Sequence, residues 1–264
     1  MRAGLPRCDR LALSACVFCL DVLVTTLPTP AASSFVSPAP VDAADRAPDV
    51  LAALRTATAA RHDAVEGAMP LAASSTLDAY RRHLLLIRAW LAPFEHAFAA
   101  FDDGPQDAAR VSRITREPLI ERDLAHPAMR ALDAGIHADV HADNANAVAA
   151  AATLPPLQTD AAWRWGASYV IEGSQLGGAV LLRRLREPLA PHPLHYLGGE
   201  GAGPGPRWHA FIAALREAVR SPQEVARACA GACDAFDRLI AVLAAQPREH
   251  DAQDEHTGHA GHTA

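Results

Sequence analysis

Residues 169–185, YVIEGSQLGGAVLLRRL, hold two opposing signals that limit how this chain can fold. The apolar and long unbranched side chains favour a helix. Yet Gly173, Gly177 and Gly178 lie inside it, where each glycine costs about 1 kcal/mol relative to alanine. Gly173 and Gly177 are four residues apart, so they share one face, and Gly178 widens the bare strip sideways. A helix without Cβ atoms along one side can bend, and it admits another backbone or a flat ligand at short range. Two readings follow: helix-to-helix packing through small residues, or a helix laid across a cofactor.

Residues 51–69, LAALRTATAARHDAVEGAM, form another amphipathic helix, with apolar positions recurring at three and four. His62 is near its centre, Arg55 stands seven residues before it and Glu66 four after, so the three share a face. A neutral imidazole is a good metal ligand, although a single His on a helix is more commonly a surface residue or a satisfied core residue.

Together the two stretches resemble the haem oxygenase family in its bacterial branch. The matching residues are Arg55, Thr58, His62 and Glu66 in the first helix, Tyr80 and Glu95 in the second, and EGSQLGG at 172–178. The resemblance covers residues 48–246, with its two motifs in the family's order and about a hundred residues apart. It implies an all-α fold, a single-domain helical bundle, with haem as both substrate and cofactor.

Carried over by position, His62 is the proximal ligand of the haem iron and Gly173, Ser174, Gly177 and Gly178 form the distal, catalytic side. Arg55 becomes a partner for a haem propionate, and Glu66 the acceptor that holds the second imidazole N–H. Arg207 or His209 offers a further propionate contact from a late helix. One departure concerns Ser174, which stands where animal members carry an Asp that orders a water. Bacterial relatives often have Ser there too. A hydroxyl can hold water but cannot act as a carboxylate, so the departure bears on the water network.

The activity implied is oxidative cleavage of haem to biliverdin, carbon monoxide and iron, with electrons from an external donor, a ferredoxin or a flavin reductase. A bilin-binding phytochrome is a candidate recipient of the product. A haem-binding protein without turnover and a non-haem member of the same fold are the alternatives.

Composition agrees with a helical domain. Half of the residues are apolar, enough for one large core, alanine is abundant and aromatics make up only 5%. The net charge of −6 provides no broad basic surface for nucleic acid. Five cysteines, at 8, 16, 19, 229 and 233, are odd in number and do not read as a disulfide framework. Cys229 and Cys233 read as small core-facing residues on a late helix. No E-x-x-H occurs, which speaks against a carboxylate-bridged di-iron bundle.

Residues 1–47 stand apart. Arg2, Arg7 and Arg10 precede an apolar run at 11–24, the outline of a secretory signal, but Asp21 interrupts the run. The segment reads either as a signal peptide over 1–32, making the protein exported, or as a non-native extension from a mis-set start. The second is preferred, because the family works beside cytoplasmic electron donors; it makes the protein cytoplasmic. The run is too short and broken to span a membrane.

From there the spacing predicts a first helix opening at Asp49 as N-cap. A second follows Ser74, with Tyr80, Leu84, Ile87, Leu91 and Phe94 as its apolar stripe. His83 and His96 read as surface residues, and Arg81, Arg82 and Arg88 as lying on other faces. Residues 119–124 and 129–140 look helical, broken at His126-Pro127, whereas 145–153 can be helix or loop. His137 and His141, four apart, are a possible metal pair. Asp160 is the expected cap of the glycine-bearing helix, with Trp163, Trp165 and Tyr169 as core residues. A Gly- and Pro-rich loop spans 187–206, and two further helices cover 207–219 and 222–245. The tail, 247–264, carries four histidines among polar residues and reads as disordered.

Overall fold

The computed structural model describes residues 49–135, 139–199, 201 and 203–246. The amino-terminal extension, the tail, the side chains of His137 and His141, and the cysteines at 8, 16 and 19 fall outside the described residues. Within them the chain is all-α, with no strand. Its helices are α1 (Val50–Glu66), α2 (Pro70–Ala73), α3 (Leu77–Phe98), α4 (Glu117–Leu124), α5 (Pro127–Gly135), α6 (Asp139–Thr153), α7 (Ala161–Leu185), α8 (His195–Gly198), α9 (Pro204–Ala218) and α10 (Pro222–Ala244), with a 3-10 turn at Gly104–Gln106.

The starts of the long helices follow from capping chemistry. The Asp49 carboxylate accepts the Leu51 N–H at 3.3 Å, Thr76 accepts from Ala79, and Asp160 accepts from Trp163 at 2.8 Å. At α10, Ser221 and Glu224 form a reciprocal capping box, which satisfies two N–H groups that no helical turn can reach.

Burial follows the apolar stripes. Leu51, Leu54, Thr58 and Val65 are buried on α1, and Tyr80, Leu84, Ile87, Leu91 and Phe94 on α3. α7 is buried on most of its circumference, Trp163, Trp165 and Tyr169 included. α10 is the spine: it packs along α7 and along α1, whereas α1 and α7 scarcely meet one another.

The α7–α10 crossing is backbone against backbone. A Cβ on Gly166 would collide with the Ala228 carbonyl, and one on Gly231 with the Trp163 carbonyl. Two helices can approach this closely only where neither carries a side chain at the contact.

Several expectations change. His83 is buried at 3% exposure and Arg81 at 6%, because both faces of α3 near Tyr80 are covered. Residues 145–153 belong to α6, which begins at Asp139. The Gly- and Pro-rich loop contains the short α8, whose first two N–H groups are taken by the Asp123 carboxylate. Cys229 and Cys233 are free and half-buried, with the Cys233 Sγ 3.4 Å from the Ala57 carbonyl. No described helix is long and apolar enough to cross a membrane.

Candidate functional site

On α1, His62 has a side chain only 17% exposed. Its ring stands edge-on to Phe236 of α10, with centroids 6.3 Å apart, and its Nδ1 lies 3.8 Å from an Asp63 carboxylate oxygen. Arg61, beside it, forms two hydrogen bonds to Asp237 of α10, at 2.7 and 3.0 Å, which fix how α1 is rotated against the spine. Thr58 is not available to a ligand as a donor, since its hydroxyl donates to the Leu54 carbonyl at 2.8 Å.

Arg55, half-buried on the same helix, has an Nε that is buried and without a hydrogen-bond partner. A buried guanidinium N–H without an acceptor is costly, by about 1–3 kcal/mol, so this site suits a carboxylate-bearing ligand. Glu66 is half-buried, one turn beyond His62.

α7 is one continuous helix through its glycine strip. Gly173 and Gly177 are buried and Gly178 is half-buried. A Cβ on Gly178 would meet only the Leu197 side chain, at 3.8 Å, an ordinary contact. Packing among protein atoms therefore demands glycine at 166 and 231 but not at 178. Ser174 is buried, and its hydroxyl donates to the Ile171 carbonyl at 2.7 Å. The Gln175 amide donates to the Ser174 Oγ and to the Tyr196 hydroxyl, both at 3.2 Å.

On another face of α7 lies a charged cluster, of which sequence reasoning had given a role only to Arg207, as a propionate contact. Glu172, buried on α7, receives two hydrogen bonds from Arg207 of α9, at 2.7 Å each, and an ion pair from Arg116 at 2.9 Å. Burial pushes the Glu172 carboxyl up, but the two guanidinium groups outweigh it and hold the carboxyl below its usual range. Arg207 also donates to the Ser112 carbonyl and hydroxyl, at 2.6 and 3.0 Å, so it is committed here rather than to a propionate. Glu95 accepts the N–H groups of Arg116 and Glu117, and burial raises its carboxyl. A cavity of about 150 Å³ opens between Glu95, Ser112, Arg116, Ser168, Glu172 and Arg207. The signal in the sequence was a carboxylate within an apolar helix, which must have a cation partner.

Asp123 is the other residue that the pattern left unremarked. It is fully buried and accepts from the Tyr80 hydroxyl at 2.6 Å, from His195 N at 2.9 Å and from Tyr196 N at 2.8 Å. It thereby holds α8, and with it Leu197 and Tyr196, against α7. Its position on α4, in register with Leu119 and Ile120, was the legible hint.

A family model described as "Heme oxygenase" matches residues 49–245, which includes both motifs and every described helix. The chain belongs to the haem oxygenase family. A protein named "Heme oxygenase" from Xanthomonas campestris pv. campestris (strain 8004) is 44% identical to it over 100 residues. That match covers 37% of this chain and 59% of the relative, so the chain spans less than two thirds of the relative's length. No solved structure matches the chain. Membership in the haem oxygenase family makes it a protein of an enzyme family that acts on haem.

Proposed function

We propose that this haem oxygenase family member cleaves haem oxidatively to biliverdin, carbon monoxide and iron. One arrangement carries the reading: α1, with His62 and Arg55, and α7, with its glycine strip, are both braced on α10 while scarcely touching each other. A planar macrocycle held between them would meet an imidazole on one side and a surface without side chains on the other. When bound, haem supplies both the oxygen-binding iron and the porphyrin edge that is oxidised.

The residues divide the remaining tasks. His62 would hold the iron through its imidazole, and Glu66, one turn on, would orient the ring's other N–H and make the imidazole a stronger donor. Arg55 pairs its unsatisfied Nε–H with a propionate. Gly173, Gly177 and Gly178 let the backbone approach the plane. Ser174 has its own hydrogen engaged by the Ile171 carbonyl, so towards water it acts as an acceptor. The electron donor is external, a ferredoxin or flavin reductase, the compartment is the cytoplasm, and the bilin product suits a phytochrome. Residues 48–246 are the catalytic domain.

The test is optical. Purified protein mixed with haem should develop a Soret band, and adding a reductase with its electron source in air should replace that band with a verdin spectrum. A stable Soret band under those conditions would reduce the protein to a haem carrier. No Soret band at all would remove haem from the account.

A further inference from the structure

We propose that the cavity between Arg113, Arg116 and Arg207 is a ligand site in its own right, which takes a small carboxylate with a short apolar body. The proposal goes beyond the haem reading and does not depend on it, since the cavity opens on a different face of α7. At about 100° per residue, Ser168, Ile171 and Glu172, which supply the α7 wall, centre on the side of the helix opposite Gly173 and Gly177.

Charge is the first observation. Three guanidinium groups and two carboxylates, Glu95 and Glu172, line the cavity, so at least one positive charge is left over. Arg116 carries much of it: its side chain is only 6% exposed, and its Nη2 meets the Glu172 carboxylate at 2.9 Å without the alignment of a hydrogen bond. That carboxylate is shared, because Arg207 already engages both of its oxygens. Glu95 gives its own oxygens to two backbone N–H groups, those of Arg116 and Glu117. Ser112, Arg113 and Thr115 are exposed, so the cavity reaches solvent along this segment. There the Arg113 guanidinium donates to the Gln106 and Phe101 carbonyls, which hold it in place and leave its charge uncompensated; it forms no ion pair among the described residues. A buried guanidinium with donors to spare is costly, and an incoming carboxylate supplies the acceptors.

Size and lining choose the ligand. The cavity, about 150 Å³, is well below the roughly 300–1,000 Å³ of a pocket for a drug-sized molecule, so only a compound of few heavy atoms enters and haem is far too large. The rest of the lining includes Phe98, Val111, Ile171 and Phe211, apolar surface that an inorganic anion would leave uncovered. The surplus positive charge repels a cation. One negative head on a short hydrocarbon body matches both halves of the lining.

The test uses butyrate as the probe, followed through the backbone amide resonances of the full chain with and without haem. Butyrate should shift the amides of Arg113 and Ser168 saturably. Butyramide, alike in shape but uncharged, should bind about tenfold more weakly, and so should acetate, which lacks two methylene groups. Arg113→Gln, at an exposed position that leaves the contacts among Arg116, Glu172 and Arg207 intact, should weaken butyrate by about tenfold. Ser168→Leu fills the cavity from α7 without changing any charge and should abolish the shift; Arg113→Gln decides the matter should that variant fail to fold. Saturating haem should leave the affinity for butyrate unchanged. No saturable shift, equal binding of butyramide or acetate, or full affinity in either folded variant would overturn the proposal. Displacement of butyrate by haem would overturn it too, since the probe would then occupy the haem site. A protein that forms no Soret complex yet binds butyrate as described would lose the haem reading and keep this site.

Discussion

His83 shows burial overriding the chemistry that a side chain has in water. On α3 its imidazole is enclosed, its Nδ1 has no hydrogen-bond partner, and burial lowers its pKa from 6.5 to about 3. The native ring therefore stays neutral, whereas the unfolded chain takes up the proton below about pH 6.5. A depressed imidazole pKa stabilises the fold only at higher pH, and that contribution is lost progressively as the pH falls towards 3. The loss should approach 1.4 kcal/mol per pH unit in this window. His83→Leu should flatten the acid side of a stability–pH curve measured by denaturant unfolding; an unchanged slope would show that the ring is protonated in the fold. His62 makes the contrasting prediction. His62→Ala should lower the unfolding midpoint modestly, through the lost contact with Phe236, yet leave the protein folded and abolish the imidazole-ligated spectrum of the haem complex. Added imidazole should restore that spectrum.

At the scale of elements, α7 uses glycine for two different purposes in one helix. Gly166 meets α10 where no Cβ fits, so Gly166→Ala, like Gly231→Ala, should cost about 3 kcal/mol or more in urea unfolding. Gly178 has room for a methyl group. Gly178→Ala should leave the haem-free protein as stable or up to about 1 kcal/mol more stable, through helix propensity, while weakening haem binding in a spectral titration. Unchanged haem affinity in Gly178→Ala would argue against the glycine strip as a ligand surface. α8 depends on a single side chain. Asp123→Ala would leave the Tyr80 hydroxyl and two backbone N–H groups without their acceptor, at a cost of about 2–4 kcal/mol, and should increase amide exchange at Tyr196 and Leu197.

For the molecule as a whole, the three long helices behave as one device. α10 fixes α7 by the glycine crossing and α1 by its apolar stripe and the Arg61–Asp237 pair. A ligand bridging α1 and α7 would then close a contact that the protein itself leaves nearly unmade. Haem at a hundredfold excess over its dissociation constant should raise the stability by about 2.7 kcal/mol, visible as a higher unfolding temperature. A chain trimmed to residues 49–246 should show the same rise.

Much of this was legible in the residues. The long helices, the Asp49 and Asp160 caps and the buried stripes of α1 and α3 follow from periodicity and from Asp at helix starts, because those signals are local and repeat within a turn. The stretches around His62 and around Gly173, Gly177 and Gly178 were legible as helices as well, since each lies within one element. What only the tertiary structure decided involves partners far apart along the chain. Gly166 and Gly231 resemble any other helical glycine until their helices cross. Asp123 lies 43 residues from Tyr80 and 73 from Tyr196, and Glu172 lies 35 from Arg207, so no local spacing records these bonds. His83 and Arg81 read as surface because their burial depends on what the rest of the chain lays over α3. Local patterns determine which faces are apolar; only packing determines which polar groups are enclosed with them, and a charge enclosed in that way must find a partner wherever the fold brings one.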